Sequence, residues 1–92
     1  MIVDVQSKTL SEAEMAVIKR NIQFFCNIPR GSLPQMRNYG IDFSAVGEGY
    51  DIAKRKLTVD IISGVRDTFG IHISEIDITA DENGDYKVNI KI

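Results

Sequence analysis

Three carboxylates, Asp42, Glu48 and Asp51, gather around a glycine-rich turn. Glycoside hydrolysis needs such a set, with one carboxyl acting as acid and another as base or nucleophile at a fixed separation. Asp42 and Asp51 are equally explained as residues that open a turn and a helix, and no sugar pocket is visible in the sequence, so no catalytic residue is assigned. His72 has no nearby serine or cysteine partner and stands between two isoleucines in a strand-like stretch, where a structural or surface role accounts for it. Cys26, the only cysteine, falls on the apolar face of a helical pattern and reads as a small buried hydrophobe. A reactive thiol would want exposure and a neighbouring positive charge.

One cysteine and one histidine cannot build a Cys/His metal cluster. Asp81-Glu82-Asn83-Gly84-Asp85 has the composition of a calcium loop, without the twelve-residue spacing or the terminal glutamate of an EF-hand, and reads as a hairpin turn. Arg30-Gly31-Ser32 lacks a phosphate-loop flank. Lys54-Arg55-Lys56 is explained as a solvated helix face. The expectation is a protein that is not an enzyme and needs neither metal nor cofactor.

Ninety-two residues make a single domain, 1–92, which buries only roughly 60–65% of the surface its unfolded chain exposes. The core is therefore thin, and a partner surface can complete it. A composition 43% apolar and 26% charged is ordinary for a globular chain, and a formal net charge of −2 advertises neither nucleic acid nor an acidic membrane as a partner. No run approaches the roughly 20 apolar residues of a membrane span. The acidic N-terminal segment does not read as a signal peptide, so folding inside the cell is expected.

The elements that position these residues follow from periodicity. Met1-Ile2-Val3-Asp4-Val5 is a β-branched run that predicts an edge strand or an arm. Ser11-Glu12-Ala13-Glu14 matches a capping box, in which the serine hydroxyl accepts from the Glu14 N–H and the glutamate reaches back to the cap's own N–H. Met15, Ile18, Ile22, Phe25 and Cys26 share one helical face, with Lys19, Arg20 and Gln23 outward, so the first helix should run from Ser11 to Asn27 and stop before Pro29. Phe24, at the edge of that face, either widens it or meets the loop or a partner.

A second helix is predicted from Tyr50 or Asp51, burying Ile52, Leu57, Ile61, Ile62, Val65 and Phe69 and stopping at Gly70. Lys54, Arg55, Lys56, Asp60 and Arg66 form its solvent side. Gly64 inside it points to close packing against another backbone, since glycine there costs about 1 kcal/mol relative to alanine.

The last 22 residues predict a hairpin. A two-residue Asn83-Gly84 turn would throw the apolar sets of its strands onto opposite faces. A three-residue loop, Glu82-Asn83-Gly84, pairs Ala80 with Tyr86, Ile78 with Val88 and Ile76 with Ile90. Ile71 and Ile73 have the other parity, so a bulge lies near Ser74-Glu75 or the strand starts only after it. The fold class is α+β, two helices on one face of a small, mostly antiparallel sheet with a C-terminal β-hairpin.

The segment from Ile28 to Asp42 is neither periodic nor bland. It holds both prolines of the chain. Its length marks it as functional or disordered, and Ile28, Leu33, Met36, Tyr39 and Ile41 can anchor it, so it is expected to be ordered.

Pro29-Arg30-Gly31-Ser32-Leu33-Pro34 followed by Arg37-Asn38-Tyr39-Gly40-Ile41-Asp42 resembles the loop after the first helix in the small baseplate wedge proteins of contractile phage tails. Relatives of that family serve the type VI secretion system and other contractile injection machines. The resemblance covers nearly the whole chain in element order, and its specific part runs from Pro29 to Asp42. It implies a structural protein, present in several copies, that contacts other wedge subunits and the tail sheath, in the bacterial cytoplasm during assembly and then in the virion tail baseplate.

The residues carried over from the family loop are Arg30, Gly31, Pro34, Arg37, Tyr39 and Gly40, which would shape the wedge contact. The resemblance also admits a strand added at an exposed hairpin edge. Where many family members have an aromatic-Glu-Pro-Arg motif, this chain has Phe69-Gly70-Ile71-His72, so no contact is carried over from it. The alternative function is a small regulatory adaptor of the same fold that sequesters a cellular protein.

Overall fold

β-branched residues at alternate positions in three short segments form a three-stranded sheet in the computed structural model, which describes all 92 residues. Its strands are β1 (Ile2–Gln6), β2 (Glu75–Ala80) and β3 (Tyr86–Lys91), in the order β1-β3-β2. β2 and β3 are antiparallel, and β1 joins β3 in parallel. Ile76 faces Ile90, Ile78 faces Val88 and Ala80 faces Tyr86, the register that keeps both apolar sets on one side.

The hairpin turn closes through the Asp81 N–H, which donates to the Asp85 carbonyl at 2.9 Å, with Gly84 at φ 81°. The Asp81 carboxylate accepts from the N–H groups of Asn83 and Asp85, both at 2.9 Å, so the acidic turn is wound around its own backbone. β2 begins only at Glu75. Just before it, the Ser74 N–H and hydroxyl both donate to the Lys91 carbonyl, at 2.8 and 2.9 Å. His72 is exposed in the link ahead of β2 and not within a strand.

Two helices cover the apolar face, α1 (Glu12–Cys26) against β1 and α2 (Tyr50–Phe69) against β2. Ser11 caps α1 by accepting from the Glu14 N–H at 3.2 Å, but its hydroxyl meets the Glu14 carboxylate at 3.0 Å, so the return contact ends on the hydroxyl and not on the cap's backbone. α2 ends at Gly70, which is left-handed at φ 67° and donates its N–H to the Arg66 carbonyl at 2.9 Å. A short 3-10 helix, Ser44–Glu48, leads into α2.

The core joins Val3 and Val5 of β1, Ile22 and Phe25 of α1, Leu57, Ile61 and Val65 of α2, and Ile78, Val88 and Ile90 of the hairpin. Three expectations change. The buried row of α2 is Ala53-Leu57-Ile61-Val65, which turns Ile52 outward. Met15 and Ile18 lie on the expected face of α1 but are only half-buried, with Ile18 packed against the core. Gly64 makes room for the Phe25 ring and not for another backbone, as a Cβ there would lie 2.7 Å from Phe25 Cζ.

Helix side chains also cover both edges of the sheet. Gln23, expected to face solvent, accepts from the Val3 N–H at 2.7 Å and donates to the Met1 carbonyl at 2.5 Å, so its amide stands where the next strand would pair. On the other edge Tyr50 donates its hydroxyl to the Ile78 carbonyl at 2.9 Å and stacks on Tyr86 with ring centroids 6.3 Å apart. Lys54 reaches Asp77 at 3.5 Å beside it.

Candidate functional site

The long connection from α1 to α2 is an ordered loop with a closed base. Pro29 and Ile41 form a parallel bridge in which the Arg30 N–H donates to the Ile41 carbonyl and the Ile41 N–H to the Ile28 carbonyl, each at 2.9 Å. The strand-like base requires glycine at position 40. Its φ is 106°, and a Cβ would fall 2.1 Å from the Ile28 carbonyl oxygen. Within the loop, turns close from the Ser32 N–H to Pro29 O, from the Met36 N–H to Leu33 O and from the Tyr39 N–H to Met36 O.

Tyr39 anchors the loop to the helices. Its ring lies edge-on to Phe25 at 5.0 Å and to Phe69 at 6.5 Å, with Phe24 at 6.1 Å. Such pairs add roughly 0.5–1.5 kcal/mol beyond the area they bury. Phe24 therefore serves the loop, although it stays largely exposed. Burial raises the Tyr39 phenol above its ordinary value, and the nearby Cys26 adds to the shift. Ile41 is buried, while Ile28 and Leu33 are half-buried. Met36, expected among the anchors, is 50% exposed and lines the groove between the loop and α2.

The second fastening is polar. The Arg30 guanidinium donates to Asp60 on α2 and to the Gly40 carbonyl at 3.3 Å. The other Asp60 carboxylate oxygen accepts the Asp42 N–H at 2.9 Å. Arg30, which the family resemblance assigns to the wedge contact, meets a carboxylate of its own chain. The helical pattern predicts Asp60 on the solvent side of α2, whereas it is engaged by the loop. The available signal was its type, since aspartate is a poor residue for a helix interior unless it has a tertiary use.

The six candidate residues divide into two kinds. Arg30, Tyr39 and Gly40 shape the loop from within. Gly31, Pro34 and Arg37 lie on its outer surface, and the Arg37 guanidinium has no carboxylate within ion-pair distance. Gly31 has φ 90° with open space around it, so it sets a bend without touching the core.

The three carboxylates considered for hydrolysis are differently engaged. Asp42 accepts the Ser44 N–H at 3.0 Å, and this bond, with the Ser44 side chain and the positive charges of Arg30 and Lys56, holds its carboxyl below the usual range. That is the wrong direction for a general acid, which needs a raised value. Glu48 pairs with Lys56 at 2.8 Å. Asp51 sits in the first turn of α2, where its charge complements the helix dipole.

No group of three His, Cys, Asp or Glu side chains converges to hold a metal ion. No helix is long and apolar enough to cross a membrane. No protein-family model, no curated protein and no solved structure matches the chain.

Proposed function

We propose that the chain is a structural assembly subunit, a baseplate wedge component of a contractile phage tail or a prophage-derived tail. It works in several copies, assembled in the bacterial cytoplasm and carried into the virion tail, and binds neighbouring wedge and sheath proteins through the Pro29–Asp42 loop. The observation that carries the reading is the construction of that loop. It is fastened by the Arg30–Asp60 pair and the Tyr39 aromatic cluster, yet it points Pro34, Met36 and Arg37 at solvent. A loop held in one shape loses little freedom on binding, and exposed methionine and arginine are residue types that interface cores favour.

Strand addition by a sheath neighbour at the β2 edge requires Tyr50 and Lys54 to move aside, because they cover its middle. The loop is therefore the primary contact and the edge a secondary one.

Co-purification with the products of neighbouring genes tests the assignment. Wild type should bring down wedge or sheath proteins, Arg37→Glu should lose them while folding normally, and Arg30→Ala should weaken them by loosening the loop. Normal infectious tails from both variants would overturn the reading. Recovery of a single unrelated regulator would replace it with the adaptor.

A further inference from the structure

Two grooves lie end to end along the outer side of α2 and share Arg30, Asp60 and Ser63. One lies between the 3-10 helix and α2, with Ala45, Ile52 and Val59 as its apolar lining. The other lies between the Pro29–Asp42 loop and α2, with Met36 and Tyr39. Together they follow α2 from Ile52 to Thr68, about 24 Å at helical rise.

Val59 is the most exposed large apolar side chain of the protein at 68%, and Met36 stands at 50%. Neither is explained by the fold. Ile52 and Val59 are seven residues apart, so they form a ridge with the spacing of a heptad.

Charge marks the two ends. Arg55 lines the first groove and Arg37 the second, and neither has an acidic partner. The acids between them are engaged: Asp60 by Arg30, Asp67 by Arg66 and Asp42 by the Ser44 N–H. The trough thus offers an apolar ridge with one unpaired cation on each side of the Arg30–Asp60 crossing.

We infer that this trough docks an amphipathic helix of a partner protein, about four turns long, with aliphatic residues at heptad spacing on Ile52, Val59 and Met36 and a carboxylate for each of Arg37 and Arg55. The occupant is a helix because the outer side of α2 presents no unpaired backbone groups. A bound segment must satisfy its own N–H and C=O groups, which a helix does and an added strand does not. The inference deepens the assembly role and rests on the loop being a contact surface, although not on the neighbours being tail proteins.

The test is selection on the full 92-residue protein from a library of helices of about 16 residues, roughly the length of the trough, randomised on one face and displayed on a stable helical scaffold. Enriched sequences should carry aliphatic residues at i, i+3 or i+4 and i+7, with Asp or Glu toward both ends. Their binding should fall at least tenfold on Val59→Lys and on the double variant Arg37→Glu/Arg55→Glu, whose melting should stay near wild type because these side chains are exposed. Exchanging the selected acids for lysine should restore binding to the double variant. Failure to enrich, enrichment of basic or non-periodic sequences, or indifference to Val59→Lys would overturn the inference. If tail proteins co-purify equally well with Val59→Lys, the trough is wrong and the assembly role stands. If the selected helices behave as described and no tail protein co-purifies, the tail assignment fails and the trough stands.

Discussion

Asp60 receives the Arg30 guanidinium on one carboxylate oxygen and the Asp42 N–H, at 2.9 Å, on the other, so one side chain of α2 fastens both ends of the loop. Both partners are partly exposed, which discounts the ion pair itself, but hydrogen bonds to a charged group still contribute. Asp60→Ala should cost about 1–2 kcal/mol in urea unfolding. Arg30→Ala should cost less, and the double variant should fall short of the sum by about 0.5–1 kcal/mol because both changes remove one contact. Hydrogen exchange at the Asp42 N–H should speed up in Asp60→Ala. Additive losses with unchanged exchange would mean that the pair does not fasten the loop.

Gly40 and Gly31 both have positive φ, and their surroundings differ. A Cβ at 40 would overlap the Ile28 carbonyl at 2.1 Å, whereas at 31 it meets nothing within 4 Å. Gly31→Ala should therefore cost only the left-handed strain, about 1 kcal/mol. Gly40→Ala must also open the Pro29–Ile41 bridge and should cost roughly 2–4 kcal/mol. Thermal melts of the two variants side by side decide this, and equal losses would refute the close approach.

Much of this arrangement could be read from the residues. The hairpin register follows from parity and the turn residues together, because a two-residue turn would split Ile76, Ile78, Val88 and Ile90 between two faces and Gly84 suits a three-residue loop. The Ser11 cap and the Gly70 stop were equally local signals. What could not be read depends on contacts far apart in sequence. Gln23 turns inward because the β1 edge leaves unpaired groups beside it, and the parallel pairing of β1 with β3 joins opposite ends of the chain. Ile52 turns outward because Ala53, small and bland, takes the buried position on α2. In the candidate site, Tyr39 is legible by type as an anchor and Gly40 comes from the family resemblance, while Asp60 lies 30 residues from Arg30 and no pattern links them.

Gly64 offers a contest between two effects of known sign. Alanine in a helix interior gains about 1 kcal/mol over glycine, but a Cβ at 64 would come 2.7 Å from Phe25 Cζ. The Phe25 ring is itself held edge-on by Tyr39 at 5.0 Å and Phe69 at 5.7 Å, so it has little room to give. Gly64→Ala should be net destabilising by roughly 1–2 kcal/mol. The companion change Phe25→Leu should reverse that sign, so that Gly64→Ala stabilises the Phe25→Leu background. Chemical denaturation of the four proteins in this cycle measures the coupling directly.

Cys26 is buried on α1, and burial pushes its thiol up to about 12 from an ordinary 9.0. A raised folded value means that the contribution to stability is complete below the unfolded value and disappears as pH climbs through the folded one. The window here is therefore pH 9 to about 12. At pH 8 a thiol-specific disulfide reagent should leave the native protein unmodified and label it promptly in urea, since only the thiolate attacks. Cys26→Ala removes a packed sulfur and should cost about 1 kcal/mol at neutral pH, yet it should lose less further stability than wild type between pH 9 and 11. The Tyr39 phenol, raised in part by Cys26, contributes to the same difference. Melting curves that fall in parallel, or labelling of the native protein as fast as of the unfolded chain, would place the thiol in solvent and break the packing of α1 against the loop on which Tyr39 depends.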